Sequence, residues 1–142
     1  MASWRDSASQ QTQDDLDGLL DACLEQAAVL LERHGEFYPF GVSIDHDGDA
    51  TLHAPDSDTE FPDSQALLDT LVDGLIGRRD LIRAAGWVAD VRLADEPGDA
   101  IGVTLEHADG VTMNVVQPYT QTAGGVTYAD LRAGPAEPRI WA

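Results

Sequence analysis

The sequence predicts an α+β domain: one antiparallel sheet of five or six strands with two helices. The elements run helix, hairpin, helix, then a meander of three or four strands. Three observations carry this. Apolar residues recur at spacings of three and four over residues 16–31 and 67–76, the period of a helix with one buried face. Alternation with period two marks "FYPFGVSID", "ATLHA", "GWVADVRLA", "AIGVTLEH" and "VTMNVVQPY", as half-buried strands require. Asp-Gly pairs interrupt that alternation in "DHDGD" and "ADG", the chemistry of a tight hairpin turn.

Residues 1–13 are small and polar and are expected to form a flexible tail, with the folded domain over 14–133. From Thr12, "TQDD" resembles a capping box, Asp15 standing three residues on. Leu16, Leu20, Cys23, Leu24, Ala27 and Leu31 then make one apolar stripe. Gly35 suits a helix stop, and His34 in the last turn suits the helix dipole. Phe40, Val42 and Ile44 face one way in the first strand, and Ala50, Leu52 and Ala54 in the second. A loop rich in Asp, Ser and Pro (55–63) leads to a second helix beginning near Asp63 or Ser64. Its core face is Leu67, Leu68, Leu71, Val72, Leu75 and Ile76, and Gly74 and Gly77 weaken its end, which is expected near Arg79 or as late as Ala85. Trp87, Ala89, Val91 and Leu93 alternate against Val88, Asp90 and Arg92; "GVTYADL" offers an edge strand, and a Pro-containing tail, 134–142, ends in "RIWA". "GVSIDH" (41–46) and "GVTLEH" (102–107) match in type at every position. Two strands entering Asp-Gly turns would look the same without a duplication.

A chain of 142 residues fits one domain and buries roughly two-thirds of its unfolded surface, enough for a core without staples. Cys23 is the only cysteine, so no internal disulfide forms. No signal-type apolar core precedes the first helix, and no run approaches the roughly 20 apolar residues of a membrane span. The expectation is a soluble cytoplasmic protein. There are 26 acidic residues against 8 basic, every basic one an Arg, for a net charge of −18. Charge of that sign repels nucleic-acid phosphates and anionic membranes. It serves solubility first; a role as an acidic decoy or immunity-type inhibitor of a basic partner is the sharper alternative. Without lysine, Schiff-base chemistry and the P-loop are unavailable.

The element order resembles that of the roadblock and profilin-like group, which implies a protein-interaction platform at the level of fold alone. At the level of residues, "WVADVRL", "DAIGVTLEHADG" and "VVQPY" within 87–119, with "EFYPFGVSIDHDG" at 36–48, resemble a group of small uncharacterised bacterial proteins. That resemblance covers about two-thirds of the chain, rests on strand residues and implies no activity.

"DHDGDATLHAPD" (45–56) places Asp at relative positions one, three, five and twelve, which suggests a calcium loop. Such a loop requires Gly at six and a bidentate Glu at twelve. Here Gly48 falls at four, Ala50 at six and Asp56 at twelve, and strand alternation resumes at Ala50. The segment is expected to be a turn, and no metal or cofactor is expected. His34, His46, His53 and His107 show no helical ligand spacing; His46, Asp45, His107 and Glu106 would form a weak metal or acid–base site only if the two hairpins met. Ser43 lies in a strand without the nucleophile-elbow pattern, and Cys23 lies on an apolar stripe. No residue is expected to be catalytic. The leading expectation is a non-enzymatic interaction module, with self-association through a sheet edge or helices and Trp141 and Ile140 as interface candidates. The alternative is a small-molecule-binding protein or undetected hydrolase with a pocket between sheet and helices, lined by His53, Asn114, Gln117 and Tyr119.

Overall fold

A computed structural model describes residues 8–54 and 63–142; Trp4 and most of the 55–63 loop lie outside them. Among the described residues the chain is α+β, with two helices and a single antiparallel sheet of seven strands. In chain order these are α1 (Gln10–His34), β1 (Phe40–Asp45), β2 (Ala50–His53), α2 (Ser64–Gly77), β3 (Ile82–Arg92), β4 (Asp99–His107), β5 (Thr112–Thr122), β6 (Gly125–Tyr128) and β7 (Arg132–Pro135). The sheet runs β2-β1-β3-β4-β5-β6. β5 is long enough to pair with β7 along its first half and β6 along its second, both on the side away from β4. The sheet therefore exceeds the five or six strands expected. The extra strand, "RAGP", is four exposed residues without alternation, so it carries no periodic signal.

Two helix details also differ from expectation. Ser9, not Thr12, caps α1, its side chain accepting the Thr12 N–H. Thr12 is buried instead. The buried stripe runs through Leu16, Leu19, Cys23, Ala27 and Leu31, with Leu20 and Leu24 only partly covered. Gly35 ends α1 in the left-handed conformation at φ 77°, its N–H bonded to the Leu31 carbonyl, as a C-terminal glycine should. α2 is capped by Asp63 and stops at Gly77, and β3 begins at Ile82 rather than near Gly86. The reason is that both faces of β3 are buried from Ala84 to Val88. A strand covered on both sides reads as an unbroken apolar run rather than an alternation.

The helices lie on opposite faces. α1 covers the first face, packing Leu16, Leu19, Cys23, Ala27 and Leu31 against Phe40, Val42, Val88, Val103 and Leu105. Gly86 makes this approach possible: a Cβ there would lie 2.9 Å from Leu105 and 3.2 Å from the Cys23 sulfur. α2 covers part of the second face with Leu71, Val72 and Leu75 against Ile82, Ala85 and Trp87, and Ile140 completes that core. The folded unit thus reaches past residue 133. No helix among the described residues is long and apolar enough to cross a membrane.

Candidate functional site

Among the described residues, three placements of catalytic-type side chains stand out, and in each the side chain is already engaged by its surroundings. Where α1 begins, Arg83 at the start of β3 binds Asp15 bidentately (Nε to Oδ2 and Nη2 to Oδ1, both 2.9 Å), and Asp15 Oδ2 also meets His107 Nε2 at 2.9 Å. The backbone N–H of Asp109 donates to His107 Nδ1 at 3.1 Å. That bond places the ring proton on Nε2, directed at Asp15. Neither ring nitrogen is left to move a proton for a substrate. Burial pushes the Asp15 carboxyl up, but hydrogen bonds from Arg83 and His107 outweigh it and hold its pKa below the ordinary value. The cluster ties helix, sheet and turn together, with Arg83 Nη1 also on the His46 carbonyl.

The second group lies under α2. Ser43 Oγ and His53 Nε2 are 2.7 Å apart, the contact of a nucleophile and its base. Ser43 is nevertheless buried at 3% exposure. Burial and the positive charge of Arg78 both lower the His53 pKa. A base that activates serine needs a group stabilising its imidazolium, and Arg78 does the reverse. This pair is a packed hydrogen bond.

Glu106 forms the third. It precedes His107 and points to the opposite face, since adjacent strand residues face opposite sides, so the weak site of Asp45, His46, Glu106 and His107, conditional on the two hairpins meeting, is not assembled. The buried Glu106 carboxylate receives the backbone N–H groups of Arg139, Ile140 and Trp141 at 2.7–3.1 Å. Successive N–H groups around one anion form a nest. It holds the C-terminal segment across the second face, and Ile140 is fully buried there. Ile140 has no surface left for a partner, and Trp141 is partly buried beside it.

The residues proposed to line a pocket are not brought together. His53 lies on β2 and Asn114 on β5, four strand spacings or about 19 Å apart. Asn114 Oδ1 accepts the Thr104 hydroxyl, and Gln117 donates to the Ala129 carbonyl. Tyr119 lies on the first face and donates to Asp90 Oδ1 at 2.6 Å. The 45–49 segment is a hairpin turn with Gly48 at φ 91°. Asp45, Asp47 and Asp49 bring carboxylate oxygens within 4.8 Å of one another, an arrangement the turn itself explains because Asp45 Oδ1 accepts the Asp47 and Asp49 N–H groups.

Among the described residues a large cleft lies elsewhere, beside the C-terminal half of α1 and over the β1–β2 edge. Its volume is about 660 Å³, within the range of small-molecule sites. Leu30, Phe37, Tyr38, Phe40 and Leu52 supply its apolar wall, and Gln26, His34, Glu36 and Asp90 its polar groups; Ala54 and Ser64, which flank residues 55–62, border it. Tyr38 and Leu52 are 49% and 53% exposed. Burial raises the Asp90 pKa, and the negative charges of Asp99 and Glu36 add to it. Sequence reasoning missed this site, although "EFYPF" carried a signal: three of the chain's nine aromatic residues directly after a helix stop, beside an acid. Asp90 gave none, because only its strand position brings it there. Comparison with known proteins adds no relative: no family model, curated protein or solved structure matches the chain.

Proposed function

We propose that this chain is a non-enzymatic protein-interaction module, and that its occupant is a second copy of itself on the open half of the second sheet face. The observation that carries this is an uncharged surface on a very acidic protein. Beyond the edge of α2 and the C-terminal segment, β3, β4 and β5 present half-buried Ala89, Val91, Gly102, Thr104 and Val116 together with exposed Asn114. None carries a charge, in a chain of net −18. Two such chains repel, and a neutral face is where they approach at least cost. The polar members, Thr104 and Asn114, are bonded to each other at 2.9 Å. Arg132, opposite Val116 in register, is paired with Glu96 at the rim. Edge pairing is the weaker alternative: β2, β6 and β7 are each four residues long, and short edges discourage strand addition.

Three strands at about 4.8 Å spacing, with two same-face residues each, make a patch of about 200 Å². That is well below the roughly 800 Å² per partner of a stable complex. The dimer is therefore weak and concentration-dependent. Sedimentation equilibrium from 10 μM to 1 mM tests it, with Ala89→Glu and Val116→Glu as variants whose fold is checked by circular dichroism. The expected result is a dimer at high concentration that strengthens with salt, since screening relieves repulsion, and that either substitution abolishes. A monomer throughout, or a dimer unaffected by both substitutions, overturns it.

A further inference from the structure

We propose that the cleft beside α1 is a binding site for a small organic cation with an aromatic or aliphatic body, its ammonium held between Glu36 and Asp90 and its body against Phe37, Tyr38 and Leu52. This goes beyond self-association and concerns a different part of the molecule, on the first face of the sheet. Two features of the cleft point to such a ligand.

The first is its apolar wall. Three aromatic side chains follow Gly35 in one short segment, because the left-handed turn at Gly35 swings the chain from α1 into β1. Phe37 and Phe40 pack ring to ring at 5.8 Å between centroids and form a rigid base. Tyr38 and Leu52 line the same cleft, and they are two of the five large apolar side chains left exposed among the described residues. Aromatic faces attract cations through their ring quadrupole, more strongly where water is displaced.

The second is its charge. Glu36 and Asp90 both line the cleft, and no arginine does among the described residues. Asp90 receives the Tyr119 hydroxyl on Oδ1 and a hydrogen bond from the Phe37 backbone. An ionised carboxylate has about four acceptor positions, so capacity remains for a further donor. Asp99 and Glu36 act on Asp90 as like charges, and a cation placed among them relieves that repulsion. Half-buried Gln26 and exposed His34, both on α1, add polar groups to the lining. A carboxylate or phosphate ligand would meet the opposite field and is disfavoured.

The probe is phenethylammonium, titrated into the full chain at 0.15 M salt and followed by two-dimensional amide NMR. Phenethyl alcohol and phenylacetate serve as a neutral and an anionic analogue of similar size. The expected result is a saturable shift confined to residues 36–40, 52–54 and 90, with the alcohol binding about tenfold more weakly, as loss of a charge-assisted hydrogen bond implies, and phenylacetate more weakly still. Glu36→Gln and Asp90→Asn should each weaken the amine about tenfold. Glu36 is exposed, so its variant remains informative if Asp90→Asn perturbs the Tyr119 contact. Asp73→Asn, an exposed acid on α2, should leave binding unchanged. Equal binding of amine and alcohol, or equal weakening by Asp73→Asn and Glu36→Gln, would show only diffuse attraction to an acidic surface and overturn the proposal. Shifts at these residues from an Arg-rich peptide but not from the free amine would overturn it too, in favour of a basic protein ligand.

Discussion

Glu106→Gln is the most exacting test of how the second face is covered. The carboxylate binds three successive backbone N–H groups, those of Arg139, Ile140 and Trp141. Charge-assisted bonds contribute about 1.5–3 kcal/mol each, and burying Ile140 adds about 1.5–3 kcal/mol. Against this, ordering three residues costs about 3–6 kcal/mol of backbone entropy. At the middle of these ranges the segment is held by about 4–5 kcal/mol. Glutamine keeps the length and volume but offers one acceptor oxygen and a donor NH2. It weakens the bonds to neutral strength and sets a donor against the Trp141 N–H, a loss of about 3 kcal/mol by the same figures. That brings docking of the segment close to balance. Urea denaturation should show the lower stability, and hydrogen exchange at the amides of residues 139–141 should accelerate toward unprotected rates. Combination with Ile140→Ala should be less than additive by at least about 0.5 kcal/mol, because both substitutions release one segment. A loss under about 0.5 kcal/mol with amide protection retained would refute the anchor, and strict additivity would refute docking as a unit.

The α1 stripe predicts a contrast between neighbours: Leu19→Ala should cost about 2–5 kcal/mol and Leu20→Ala distinctly less, since Leu19 is 1% exposed and Leu20 only partly buried; equal losses by chemical denaturation would mean that the helix is rotated. Asp15 has a folded pKa below its unfolded value of about 3.9, so its contribution is present above that value and is lost as pH falls through the folded pKa. Denaturation curves from pH 7 to 2.5 should show the stability gap between the wild type and Asp15→Asn closing below about pH 4, and a gap that widens toward acid would contradict the pairing with Arg83 and His107. Cys23 is fully buried, and burial pushes its thiol up to about 12; iodoacetamide should modify it only in denaturant, because the thiolate is the reactive form, and rapid native-state labelling would disprove the packing against Gly86.

Residue order alone determined the local structure. Spacings of three and four marked both helices, Gly35 marked the end of the first, and alternation with Asp-Gly pairs marked the β1–β2 and β4–β5 hairpins, because these signals act between residues close along the chain. Period two also shows why Glu106 and His107 part company, but it does not show which face is covered by what. β7 was illegible because four exposed residues held by backbone bonds to β5 impose no pattern on their side chains. The N-terminal edge of β3 was hidden because burial on both faces erases alternation. Whether a polar residue in a strand meets water, a partner or a cleft depends on chain brought over it from far away. His46 and His107 occupy matching places in similar hexapeptides, yet the first is exposed at a turn and the second is buried beneath Asp15, 92 positions distant. Glu106 is anchored by amides 33–35 positions away, and Asp90 reaches the cleft because β1 and β3 are neighbours in the sheet. Those contacts are made by long-range packing, whose free energy depends on surfaces that no short window of residues contains.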